Sequence, residues 1–63
     1  MFDAREEAAK LMREDKPESL GEFMDAAKRR GFDENKESAM WKAHIKSLSD
    51  QEYRKKAGLP ERF

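Results

Sequence analysis

Residues 35–48 read NKESAMWKAHIKSL, and this stretch decides the fold. At about 100° per residue, Met40, Trp41, His44, Ile45 and Leu48 gather on one arc while Lys42 and Lys46 fall off it. That i, i+3, i+4, i+7 spacing predicts an amphipathic helix with one buried face, against which the rest of the chain packs. The same stretch holds the only tryptophan and the only isoleucine.

Upstream, Ser19-Leu20-Gly21-Glu22 has the Ser-x-x-Glu pattern of a capping box and opens a second helix. On it Leu20, Phe23, Met24 and Ala27 share a face, and Asp25 and Arg29 pair on the other side. Gly31 ends this helix as a left-handed residue, with Phe32 placed for the apolar contact of a Schellman motif. Asp33 or Asn35 then caps the central helix. Before Ser19, Lys16-Pro17-Glu18 breaks the pattern, because proline disfavours a helical residue ahead of it. The first helix spans residues 4–15, capped by Asp3 with Glu6 three positions on. Its stripe of Ala4, Ala8, Leu11 and Met12 is thin, and Glu6 and Lys10 form an i, i+4 pair. It is expected to bury little and to fray first.

Downstream, Ser49-Asp50-Gln51-Glu52 opens a short fourth helix carrying Tyr53 and Ala57, which Gly58 and Pro60 stop. The chain has no valine or threonine and no strict alternation of apolar and polar residues, so no strand competes. The reading is all-α: residues 1–63 form one small domain, a compact bundle of three main helices plus a short C-terminal fourth.

Composition limits function further. Lysine and arginine number 14 against 14 acids, 44% of 63 residues being charged. Neutrality argues against a general polyanion binder. Yet residues 1–34 hold ten acids and seven bases, and residues 35–63 hold four acids and seven bases. No cysteine is present, and no leader-like or membrane-spanning apolar run appears. A soluble cytoplasmic protein is expected, of a size that suits a small bacterial or phage protein. At this length a single core leaves little stability in hand, so a partner or self-association would help.

Sites for chemistry are scarce. His44, the only histidine, falls inside the apolar arc, where a hydrogen-bonded core residue is the simplest reading. Asp33-Glu34-Asn35-Lys36-Glu37 has oxygens at calcium-loop spacing. It lacks the glycine at the sixth position (Ser38) and the glutamate at the twelfth (His44). No metal-ligand cluster, nucleophile–base pair or phosphate loop occurs, so no enzyme, cofactor, metal or small-molecule substrate is expected. The leading reading is a small protein-interaction module, a regulator, inhibitor or accessory subunit that occupies a surface of another protein or of itself. Phe2, Met12, Leu59 and Phe63 are its candidate contacts, being apolar residues that the core does not clearly claim. The chain ends, with Leu59 and Phe63 on a short extended tail, would then carry the function. The alternative is a helix-turn-helix-like DNA binder using Lys42, Lys46, Gln51, Arg54, Lys55 and Lys56. Against it, Asp33, Glu34 and Glu37 stand at the start of the would-be recognition helix.

Overall fold

The computed structural model describes residues 1–60, which form four helices and, among the described residues, no strand. These are α1 (Ala4–Asp15), α2 (Leu20–Arg29), α3 (Glu34–Ser47) and α4 (Gln51–Lys56). The Cα radius of gyration is 10.7 Å, against about 10.5 Å expected for a compact domain of this length. One core is therefore closed by all four elements.

Each helix begins where a side-chain oxygen can take the free N–H groups of its first turn. Asp3 accepts from the N–H of Arg5 and Glu6, Ser19 from that of Glu22, and Asp33 from that of Lys36. The Glu22 side chain reaches back to the N–H of Glu18, one residue before the cap. In α4 the cap is Asp50 and not Ser49: its carboxylate accepts from Glu52 N–H and also binds Arg5. Both glycine stops are Schellman turns. Gly31 and Gly58 have positive φ, Phe32 N–H bonds Ala27 C=O, and Leu59 N–H bonds Arg54 C=O. Lys16 ends α1 in the left-handed region at φ 50°, its N–H on Met12 C=O. A non-glycine residue ahead of proline is strained there.

Two expectations are corrected by the packing. First, α1 is not a marginal element. It touches each of the other three helices, and its pairing with α3 is the most extensive in the molecule. Ala8, Ala9 and Leu11 are buried, as is Met12. A stripe of alanines reads as thin because it offers little apolar area, but it lets two helix backbones come close. Second, the buried face of α3 is turned by about 40° from the apolar arc. Glu37, Met40 and His44 face the core, Trp41 and Leu48 are partly covered, and Ile45 is 47% exposed. The remaining core is Phe23, Ala26, Ala27, Tyr53 and Ala57. Leu20, expected on the inner face of α2, is 46% exposed.

Apart from a 4.0 Å contact between Arg13 and Glu14 within α1, the ion pairs among the described residues join elements. Glu6 pairs with Lys56 at 2.8 Å and not with Lys10, and no Asp25–Arg29 pair forms. Arg30 instead bridges from the end of α2 to Glu14 at 2.8 Å and Asp15 at 3.2 Å.

The hierarchy can be checked by urea unfolding. Leu11→Ala should cost about 2–5 kcal/mol, enough to unfold much of so small a domain. Ile45→Ala should change stability by no more than about 0.5 kcal/mol. Equal midpoints for the two variants would show that the packing is misassigned.

Candidate protein-docking surface

Behind the surface of α3 lies a cluster of rings. Phe23 meets Trp41 edge-on at 5.1 Å between centroids, and His44 sits 5.8 Å from Phe23 and 5.4 Å from Trp41. His44 is 6% exposed, and its Nδ1 lies 2.7 Å from the hydroxyl of Tyr53, itself 1% exposed. This bond fixes α4 to α3. Burial pushes the Tyr53 phenol up to about 12, with Arg5 opposing, so the phenol is neutral and can donate to the imidazole. Burial, aided by the Arg54 charge, holds His44 below its usual range. The only histidine is thus a bonded core residue.

Trp41 forms the boundary between this cluster and solvent. A shallow groove of about 350 Å³ is lined by Trp41, Lys42, Ile45 and Lys46. On the other side of Trp41 a cleft of about 140 Å³ is walled by Met12, Pro17, Glu18, Ser19, Phe23, Trp41 and His44. Met12 and Pro17 also line a third groove of about 300 Å³, with Ala57, Gly58 and Leu59, and with Arg13 and Lys16.

The candidate contact residues separate in space. Phe2 packs on Phe32 at 5.6 Å, with the Lys36 ammonium 5.4 Å over its ring. It finds across the bundle the apolar partner that Glu7 denies it within α1. Met12 is 9% exposed, a core residue whose edge reaches two grooves. Leu59 does not stand out on an extended tail. The Schellman turn folds it back against the core, and Arg54 Nε donates to Pro60 C=O at 2.9 Å. Met12 and Leu59 therefore share one groove, Phe2 is elsewhere, and Phe63 lies outside the described residues. Ile45, assigned to the core from the sequence, is instead an exposed large apolar residue. The signal available was Glu37, which lies two helical turns ahead of His44 and claims part of the buried arc.

The residues of the nucleic-acid alternative fall in two groups, one on α3 and one on α4. Lys42 and Lys46 lie on the outer side of α3, and Gln51 and Lys55 are exposed on α4. Arg54 donates to Leu48 C=O at 3.1 Å as well as to Pro60, and Lys56 pairs with Glu6. Among the described residues no cluster suited to a metal ion occurs, and no helix is long and apolar enough to cross a membrane. No protein-family model, curated protein or solved structure matches the chain.

The buried imidazole makes a pH prediction. Its folded pKa is lowered, so the folded state favours the neutral ring. The associated stability is complete above the ordinary histidine value of 6.5 and is lost as pH falls through the lowered value. Glu14, held down by its bond to Arg30, contributes separately, and its share is lost only below 4.5. The melting temperature of the wild type should therefore start to drop just below pH 6.5. His44→Gln should be flat in that window and keep the lower one. An unchanged upper step in the variant would assign it to another group.

Proposed function

We propose that the protein is a small, non-enzymatic interaction module that acts by occupying a partner's surface, and that its docking face is the outer side of α3 around Trp41 and Ile45. The observation that carries the proposal is the placement of Ile45. The largest helix exposes the chain's one isoleucine at its outer side, next to a partly exposed tryptophan. An exposed large aliphatic residue beside an aromatic in a concave surface is the composition of an interface centre. The placement of His44 in the core, bonded to Tyr53, supports action by binding in preference to action by catalysis. The bonding of Arg54 to backbone carbonyls and of Lys56 to Glu6 favours this reading over the nucleic-acid one. The proposal shifts the contact from the chain ends to the middle of the fold.

Site-specific photocrosslinking in a lysate of the native host tests it. A photoreactive residue at position 45 should give a discrete adduct, whereas one at Lys28, exposed on α2 away from the grooves, should not. Untagged wild type should compete the adduct away, and Ile45→Glu should compete poorly while melting at the same temperature. Adducts that are equal from both positions, or absent from position 45, would refute the assignment.

A further inference from the structure

The three concavities share walls. Trp41 lines both the α3 groove and the central cleft, and Met12 and Pro17 line both the cleft and the groove at Leu59. They form one track from Ile45 past Trp41 and Met12 to Leu59, with an apolar side chain in each segment.

A fourth, acidic concavity lined by Asp15, Glu22, Asp25 and Arg29 branches off at Pro17, whereas the line from Ile45 to Leu59 is mostly cationic. Lys42 and Lys46 line one end, and Arg13 and Lys16 line the other. Among the described residues Lys16, Lys42 and Lys46 enter no ion pair, whereas Arg13 donates to Lys56 C=O at 3.1 Å and has a 4.0 Å contact with Glu14. One carboxylate, Glu18, lines the middle. Several of the chain's other acids are engaged elsewhere: Glu14 and Asp15 on Arg30, Glu6 on Lys56, and Asp50 on Arg5. A protein that is neutral as a whole thus presents a cationic, apolar track.

Resting on the docking face proposed above, we infer that the occupant is a linear segment of another protein carrying apolar anchors flanked by Asp or Glu, lying along the whole track. Apolar anchors fill the concavities, and the flanking carboxylates meet lysines that have no partner of their own, which sets orientation and encounter rate. A second copy is a poorer fit. A two-fold contact through the same face would bring the Lys42 and Lys46 charges of both copies into one interface. The chain's own acidic and apolar strip, Leu20 with Glu22, has one large side chain against the several anchors of the track. A nucleic acid would match the lysines but leave Ile45 and Leu59 against phosphates, and Glu18 would repel it.

The test uses Trp41 fluorescence and two synthetic peptides of about 20 residues that share one leucine pattern, with glutamates or lysines at the flanking positions. The glutamate peptide should bind about ten-fold tighter or more, and that advantage should shrink as salt rises. Lys42→Glu/Lys46→Glu at one end and Lys16→Glu at the other should each reduce its binding while leaving the circular dichroism spectrum unchanged. Equal binding of the two peptides, binding of neither, or sensitivity confined to one end would overturn the inference. So would duplex DNA that binds more tightly than the glutamate peptide, or a dimer in sedimentation that Lys42→Glu dissolves. Crosslinking from position 45 is blind to charge. An adduct there with no glutamate preference here removes the acidic segment and leaves the docking face standing, whereas loss of the adduct removes both.

Discussion

The fold depends on how closely α1 can lie against α3. Ala8 and Ala9 of α1 carry no more than a methyl group and are essentially fully buried, and the pairing of α1 with α3 is the most extensive in the molecule. Leu11 on α1, Met40 on α3 and Phe23 on α2 can then fill the space around that approach. A larger residue at either alanine would wedge the helices apart, and the well-packed interior has no slack to absorb it. Because α1 touches α2, α3 and α4, such a displacement would be felt in every element. The six residues of α4 are too few to be helical unaided. They are held by Tyr53 and Ala57 in the core and by bonds to α1 and α3.

Charge is arranged around this core with a consistent logic. The inter-element pairs fasten the periphery of α1 to its neighbours: Arg30 at the end of α2 takes Glu14 and Asp15, and α4 supplies Asp50 and Lys56 to Arg5 and Glu6. Exposed pairs of this kind contribute little individually. Their larger effect is on the surface, since they engage Glu6, Glu14 and Asp15 of α1, while Lys16, Lys42 and Lys46 enter no ion pair among the described residues.

Much of the fold was legible because its punctuation is local. Asp3, Ser19 and Asp33 cap their helices, and Gly31 and Gly58 turn the chain, as the sequence leads one to expect. Each of those outcomes involves only residues a few positions apart. The two features that escaped, the central place of α1 and the rotation of α3, depend on what lies across the bundle. Helical periodicity locates an apolar arc, but Glu37 can enter the buried face by laying its methylene stem inward. Here Glu37 is buried and Ile45 is exposed. The packing of Phe2 and Leu59 was hidden for the same reason: they looked unclaimed only because Phe32 and the turn after α4 are distant in pattern, though close in space.

The contact between the first helix and the last also sets when the molecule can fold. Arg5 and Asp50 are 45 residues apart, and Glu6 and Lys56 are 50 apart. A chain made from its N-terminus produces α1 first, and its buried face of Ala8, Leu11 and Met12 then waits for α3 to be synthesised and for α4 to close the last side. Little of the core can form before α3 is made. Folding consequently waits for α3 and α4, and the nascent α1 is the segment most open to chaperones until then.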